Sequence, residues 1–284
     1  MVINRKVALF GIILIAGISG SANAASCTRN ASGEITDTSS ACTVTPDAAY
    51  FPVYKFGLCE EVPTYQNYQT ACTFLVDSSK AQEIKVTKTS SVKLDTILTP
   101  DKGTYKATVL LIGKSIGIIY SGVFEIARNG LDGGDNTSNG KFCSTRLDSG
   151  SEDDLESNLD CDTSVLDAGK FTEPDAYGTQ SQKCFISSGT IQSQLSFNTS
   201  SGSTKVCGMR DASTLETYTS GDTNATRQLV VQTFSTPVTV TANTKTMDIA
   251  FKVTDMLSIE KNVSEGTTYT QAYIDGFEVT ITVQ

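Results

Sequence analysis

The chain of 284 residues contains no histidine and no tryptophan. Without histidine, a serine or cysteine nucleophile lacks its usual general base. Without tryptophan, the chain lacks the aromatic side chain with the largest stacking surface, which glycosidases usually offer to sugar rings. A Gly-x-Ser-x-Gly nucleophile motif, a phosphate-binding loop and a dinucleotide fingerprint are missing as well. These absences predict that the protein is not an enzyme.

No apolar run approaches the roughly 18 residues of a membrane-spanning helix, but a shorter run stands at the amino terminus. There, Arg5 and Lys6 precede an apolar run over 7–18, and the small residues Ala22-Asn23-Ala24 follow it. This pattern predicts a signal peptide, 1–24, because the apolar run is too short to span about 30 Å of hydrocarbon. We therefore expect a periplasmic, cell-surface or secreted protein with no membrane span after cleavage. A lipoprotein is the alternative, since Cys27 closely follows the cleavage site.

Positive charge is scarce in the sequence. The 22 Lys and Arg residues face 31 Asp and Glu residues, which gives a formal net charge of −9. A surface of this sign repels phosphate backbones and anionic lipids. We therefore do not expect nucleic acid as a partner. The predicted partner is a protein or a glycan at the cell surface, or a second copy of the chain.

Cysteine, in contrast, is plentiful. All eight cysteines follow the predicted cleavage site, and in an exported chain an even number predicts disulfides. A zinc site is not expected, because the chain has no Cys-x-x-Cys spacing and no histidine. The cysteines lie in near pairs along the chain, which favours the sequential pairing Cys27 with Cys42, Cys59 with Cys72, Cys143 with Cys161, and Cys184 with Cys207.

Short segments rich in Val, Ile, Thr, Tyr and Phe dominate the chain from about residue 44, and turn residues separate them. This pattern is typical of strands and turns, and no long amphipathic helix interrupts it. We predict an all-β fold, a Greek-key β-sandwich at 44–284, preceded by a disulfide-linked segment at 25–43. The predicted strands are 50–58, 72–76, 82–87, 91–95, 103–112, 116–126, 184–198, 204–209, 228–234, 237–242, 247–253 and 277–283.

Acidic residues concentrate over 131–167, where ten Asp and Glu face two Lys and Arg. We interpret 128–183 as an acidic insertion that one disulfide fastens outside the regular sandwich core. Its oxygen ligands suit calcium, although no EF-hand loop is present, and a solvated acidic loop is the alternative interpretation. No other cofactor is expected. The candidate calcium ligands are Asp132, Asp135, Asn136, Asp148, Glu152 and Asp154.

Two tyrosines lie inside the segment that the 59–72 disulfide would close. Tyr65 and Tyr68 stand among Gln66, Asn67 and Gln69. We predict an exposed, ligand-binding role for both tyrosines, since loops held by a rigid scaffold often carry binding residues. Packing in the core is the alternative.

Three stretches of the chain resemble a family. They are 44–58 with the following Cys72, 98–110, and 238–251, and they are similar to uncharacterised secreted proteins of Gram-negative, often marine, bacteria. The turn Pro100-x-x-Gly103-Thr-Tyr is similar to the hairpin entry of prealbumin-like and carboxypeptidase-regulatory-like sandwich domains. The resemblance implies a Greek-key sandwich and brings no catalytic residues.

The final stretch, 276–284, resembles the alternating last strand of fimbrial subunits, which implies assembly by strand exchange. Eight cysteines and an acidic insertion depart from that family. We therefore predict a non-catalytic structural or binding module, with adhesion at the cell surface as one such role. The alternatives are a fimbrial or filament subunit and a calcium-dependent carbohydrate-binding protein.

Overall fold

A computed structural model describes most of the chain from residue 25 onward. Within the described residues the chain is nearly all β-structure, arranged in antiparallel sheets, so the predicted all-β class is confirmed. The described helix, α1 (Tyr68–Ala71), is a single turn. The described ranges are 25–36, 41–63, 67–88, 100–130, 139–146, 159–173, 185–187, 190–192, 195–199, 202–209, 226–244, 247–264, 267–274 and 276–283.

The first nine described strands belong to three different sheets. They are β1 (Cys42–Val44), β2 (Ala48–Cys59), β3 (Cys72–Thr87), β4 (Gly103–Gly113), β5 (Ile116–Ile119), β6 (Ser121–Asn129), β7 (Asn139–Thr145), β8 (Leu159–Asp162) and β9 (Phe171–Glu173). Those of the second half are β10 (Phe185–Ser187), β11 (Thr190–Gln192), β12 (Leu195–Thr199), β13 (Gly202–Met209), β14 (Arg227–Val240), β15 (Met247–Lys252), β16 (Leu257–Ser264), β17 (Thr267–Ile274) and β18 (Glu278–Val283).

Strand β2 is the centre of an eight-stranded sheet. One edge of β2 pairs with β3, and the other pairs with β4 and then with β5. The sheet continues from β4 through β14 and β13 to β12, and from β5 to β9. Buried and less buried residues alternate along the first half of β2, because successive side chains point to opposite faces of the sheet.

Smaller sheets form the opposing layer, and the N-terminal segment joins two of them. The sheet β1-β16-β17 borders this segment where Ser26 bridges Thr43, and the sheet β6-β7-β8 borders it where Ile35 bridges Phe124. Backbone hydrogen bonds from Cys27 N to Thr43 O and from Ile35 N to Val123 O, 2.9 and 2.7 Å long, fasten both borders. Residues 25–36 therefore connect two sheets of this layer through isolated backbone bridges.

Side chains from both layers form one apolar core. Phe51 of the large sheet lies 4.8 Å from Phe277 and 6.0 Å from Phe251, measured between ring centroids, and all three are buried. Burial of aromatic side chains of this size contributes strongly to stability. The layers thus form a sandwich, while the Greek-key connectivity stays a prediction.

Strands β3 and β14 are longer than predicted, because in each a β-bulge joins two segments that were predicted as separate strands. The register of β3 against β2 shifts between Lys55–Asp77 and Val53–Gln82, so that residues 78–81 bulge out of a single strand. Strand β14 shifts in the same way between Thr233 and Val238, around Pro237. Proline lacks the N–H that a sheet ladder needs, so the two predicted strands 228–234 and 237–242 join through a bulge at this point.

Other strands differ from the sequence-based prediction. The apolar run 116–126 is two strands rather than one, since the chain leaves the large sheet after β5 and enters the opposing layer with β6. Strands β16 and β17 were not predicted, although Leu257 and Ile259 alternate with polar residues and are both buried. The strand predicted at 91–95 lies outside the described residues.

Three of the four predicted disulfides are present: Cys27–Cys42, Cys59–Cys72 and Cys143–Cys161. Cys184 lies outside the described residues, so the fourth pairing stays a prediction. The expected position of the Cys143–Cys161 bridge, outside the core, is wrong. Both of these cysteines are buried in the main core cluster, because β7 and β8 pair with each other and extend the sheet begun by β6.

Candidate functional site

A cleft of about 510 Å³ opens where the N-terminal segment meets both layers. Its volume falls within the roughly 300–1,000 Å³ typical of small-molecule sites. The N-terminal segment contributes Ser26, Cys27 and Arg29 to its wall. Further lining comes from β1, the start of β2, the β5–β6 junction, β7 and the turn before β16. The residues that carry the argument below are Arg29, Thr43, Asp47, Lys88, Tyr120, Ser121, Val165 and Asp255.

Asp47 organises one wall of the cleft. Its Oδ2 accepts a hydrogen bond of 2.6 Å from Ser121 Oγ, and its Oδ1 pairs with the ammonium group of Lys88. The backbone of Asp47 is fixed as well, because its N–H donates to Ile119 O over 2.8 Å. Asp47 is therefore fixed by three contacts: its backbone bonds to β5, and its carboxylate bonds to β6 and to the residue that follows β3.

Asp255 occupies the turn between β15 and β16, on another part of the wall. Its φ of 56° lies in the left-handed region, where aspartate and asparagine are better tolerated than most residues. Its Oδ2 accepts a 2.9 Å hydrogen bond from Ser26 Oγ, and its N–H donates to Thr45 Oγ1 over 3.1 Å. The strained turn thus places a half-buried carboxylate against the N-terminal segment.

Two buried hydroxyls in the cleft lining have no hydrogen-bond partner in the described part of the chain. Tyr120 is 1% exposed and Thr43 is 4% exposed. The Tyr120 hydroxyl lies close to the backbone of Gly122, where an added Cβ would be only 2.2 Å away. An unsatisfied buried polar group costs about 1–3 kcal/mol, so evolution normally removes it unless it has a use.

The local electrostatics keep the Tyr120 hydroxyl protonated. Burial is the main cause that raises the pKa of Tyr120 far above the usual range of tyrosine. The guanidinium of Arg29 opposes this shift, and the carboxylate of Asp47 adds to it. Tyr120 is therefore a neutral hydrogen-bond donor throughout the physiological pH range.

The rim of the cleft combines a cation with apolar surface. Arg29 is exposed, and its Nη1 donates a 2.7 Å hydrogen bond to Gly33 O at the tip of the N-terminal turn. Val165 is 76% exposed, which is unusual for a large aliphatic side chain, and Leu166 beside it also lines the cleft. A ligand that contacts the rim would cover this valine.

The prediction of an exposed Tyr68 is wrong. Tyr68 is fully buried and packs edge-on against Phe74, with 6.4 Å between ring centroids. Its ring belongs to a second apolar cluster, which includes the Cys59–Cys72 bridge and Leu111. The short disulfide loop turns Tyr68 back onto the sheet, so the alternative of core packing holds for it. Tyr65 lies outside the described residues.

The calcium prediction cannot be compared with this structure. All six candidate ligands, Asp132, Asp135, Asn136, Asp148, Glu152 and Asp154, lie outside the described residues. In the ranges that are described, no three His, Cys, Asp or Glu residues come together as a metal site.

The described part of the acidic stretch is closely integrated into the fold. Its two cations form ion pairs, Lys141 with Glu34 over 3.6 Å and Arg146 with Asp160 over 3.5 Å. A hydrogen bond from Asn30 is the main cause that lowers the pKa of Glu34, and Lys141 adds to the effect. Asp162 has a lowered pKa because the Ser164 and Thr163 N–H and hydroxyl groups donate to it.

We compared the chain with protein-family models, with curated proteins and with solved structures, and no match was found in any of the three. Among the described helices, none has the length and the apolar character needed to cross a membrane.

Sequence analysis did not predict the cleft, because its residues are far apart in the chain. Ser26 and Asp255, which share a hydrogen bond, are separated by 229 positions. No local spacing marks such a site. A weak signal was present at Tyr120-Ser121-Gly122, where a glycine and polar atoms interrupt an otherwise apolar run.

Proposed function

We propose that this protein is a non-catalytic exported binding module and that the cleft beside the N-terminal segment is its ligand site. One observation carries the proposal: Thr43 and Tyr120 line a cleft of suitable volume, and their buried hydroxyls have no hydrogen-bond partner among the described residues. A ligand that supplied hydrogen bonds to these groups would recover much of their cost.

Export is supported by the three disulfides, since such bonds persist in oxidising compartments. The Cys27–Cys42 bridge also disfavours the lipoprotein alternative, because it occupies the sulfur that lipidation would modify. We therefore propose that the mature protein acts in the periplasm, at the cell surface or outside the cell.

A blocked cleft provides the test. Ser121→Phe puts a large ring beside Asp47, and Ser79→Phe makes the same change on the exposed bulge of β3. Thermal unfolding is measured with a panel of soluble saccharides, amino acids and dipeptides. We expect at least one compound to raise the melting temperature of the wild type and of Ser79→Phe but not of Ser121→Phe. No stabilising compound, or equal stabilisation of Ser121→Phe, would contradict the proposal.

A second candidate function is hydrolysis, because two carboxylates, Asp47 and Asp255, line the same cleft. Against it, both oxygens of Asp47 already take part in hydrogen bonds with Lys88 and Ser121, so this carboxylate is occupied by side chains of the protein itself. Turnover of glycosides is assayed with the wild type and with Asp47→Asn and Asp255→Asn. Turnover that either substitution abolishes would replace binding by catalysis in this proposal.

The fimbrial alternative is less well supported by the contacts of β18. This strand pairs with β15 of the same chain over six residue pairs, and Gln232 forms hydrogen bonds with Val279 near its start. Deletion of 276–284 is therefore expected to destabilise the monomer. Loss of cell-surface polymers with an unchanged monomer would favour strand exchange instead.

The calcium-dependent alternative depends on the acidic stretch. It predicts a melting temperature that rises with millimolar calcium and falls with a chelator. The cleft itself requires no cation, because its carboxylates bond to Lys88, Ser121 and Ser26. An unchanged melting temperature would remove calcium from the account and leave the binding proposal in place.

A further inference from the structure

The charges in the cleft balance each other. Its described lining contains two cations, Arg29 and Lys88, and two anions, Asp47 and Asp255. Lys88 and Asp47 already form an ion pair with each other. A ligand with a large net charge of either sign therefore gains little electrostatic binding energy from this site. A neutral ligand is not repelled by it.

Hydroxyl groups dominate the rest of the polar lining. Tyr120 is a protonated donor, as argued above, and Thr43 can donate or accept. The Asp255 carboxylate uses Oδ2 for Ser26 and can still accept further hydrogen bonds through Oδ1. The remaining hydroxyl-bearing residues in the lining are Ser26, Thr45, Ser121 and Ser144. The cleft lining thus contains both hydrogen-bond donors and acceptors.

An apolar surface completes the site. Val165 is largely exposed, and Val123 and Phe142 lie in the same lining. A pyranose ring matches this combination, since it presents C–H groups on its faces and hydroxyls around its edge. Small-molecule sites generally combine an apolar lining with a few placed polar groups in this way.

We infer that the ligand of the cleft is a neutral saccharide, of the size of one or two pyranose units. This inference rests on the proposed binding function of the cleft. The Asp255 carboxylate receives a ligand hydroxyl, Tyr120 and Arg29 donate to ligand oxygens, and the sugar ring covers Val165. Calcium is not required for this contact.

The test uses the full mature protein on an array of neutral glycans built from glucose, galactose, mannose and N-acetylglucosamine, with sialylated and sulfated glycans as the charged set. We expect binding to neutral glycans that changes less than about twofold between about 0.05 and 0.5 M salt. Chelator is expected to leave it unchanged. Exclusive binding to charged glycans, or no glycan binding, would overturn the saccharide inference.

Asp255→Asn is the informative variant, because asparagine tolerates the left-handed backbone and can still accept from Ser26. It removes the negative charge and should weaken glycan binding by about tenfold. Asp77→Asn, in the Lys55–Asp77 pair on β3, is the matched control and should bind like the wild type. If the two single variants Asp255→Asn and Ser121→Phe both bind glycan as strongly as the wild type, the cleft is not the binding site.

The two proposals fail in different ways. If amino acids or dipeptides stabilise the wild type and Ser121→Phe abolishes that effect, the binding function stands and the saccharide class is wrong. If glycans bind equally well to every cleft variant, the saccharide class stands for the protein but the cleft is not its site, which contradicts both the proposed function and this inference.

Discussion

The side-chain amide of Gln232 forms two hydrogen bonds with the backbone of Val279: Nε2 donates to Val279 O over 2.7 Å, and Val279 N donates to Oε1 over 2.9 Å. Gln232 lies on β14 of the large sheet, and Val279 lies on β18 of the opposing layer. The amide therefore replaces a neighbouring strand along the edge of β18 and ties the two layers together.

Gln232→Leu should lower the free energy of unfolding by about 2–4 kcal/mol, because it leaves a buried N–H and a buried carbonyl without partners. Gln228→Leu is the matched control, four residues along the same strand. Gln228 donates to Lys114 O over 3.1 Å, but its Oε1 has no described partner, so the change should cost about 1 kcal/mol or less. Urea unfolding monitored by circular dichroism measures both, and equal losses would contradict the role of Gln232.

Tyr120→Phe should raise the free energy of unfolding by about 1 kcal/mol, since it removes a buried hydroxyl that has no hydrogen-bond partner among the described residues. The same variant should weaken ligand binding, so that stability and ligand affinity change in opposite directions. Tyr105→Phe is the control, because Tyr105 is equally buried but donates to Asp101 O over 2.6 Å. Its loss should destabilise by about 1 kcal/mol. Destabilisation by Tyr120→Phe would indicate that a bound water satisfies the hydroxyl.

Stability should fall at alkaline pH. Burial raises the pKa of Tyr120 and of Tyr105 in the folded protein, so both release a proton more readily when the chain unfolds. Their contribution is complete below the unfolded pKa of about 10 and decreases as pH rises above it. The melting temperature between about pH 8 and 11 checks this expectation, and Tyr120→Phe should lose less stability over that interval than the wild type.

The Cys27–Cys42 bridge should support the cleft more than the Cys59–Cys72 bridge does. Both close short loops, of separation 15 and 13, so replacing either pair by serine should cost about 3 kcal/mol. Only the first pair fastens the segment that carries Ser26 and Arg29. Isothermal titration with a neutral glycan that binds the wild type should show weaker binding for the first double variant alone. Equal affinities would mean that hydrogen bonds hold the segment without the disulfide.

The mature protein should begin at Ala25. The backbone oxygen of Ala25 accepts from Thr43 N over 2.9 Å, so cleavage after Ala24 keeps the pairing with β1 intact. Cleavage further along would remove that hydrogen bond. N-terminal sequencing of the exported protein checks the site.

Peptide mapping without reduction should also recover a linked pair containing Cys184 and Cys207, and free thiols on both would contradict the fourth disulfide.

Sequence alone was sufficient for the properties that local patterns encode. Alternation marked β15 and β18, and the spacing of cysteines gave three correct bridges, since short loops bring their ends together easily. What local patterns cannot encode was missed. The apolar run around Tyr120 does not reveal that the chain changes layers there, and Tyr68 has the polar neighbours of an exposed loop although its ring packs inward.

The hydrogen bond between Ser26 and Asp255 also has a consequence for how the protein matures. The first described residues depend on a turn 229 positions later, and they depend on β6 in the middle of the chain as well. Contacts of such long sequence separation form slowly. The N-terminal segment therefore cannot form all of its contacts until β6 and the turn that carries Asp255 are both present. The cleft is therefore completed only after the turn between β15 and β16 has formed, so its assembly is among the last steps of folding.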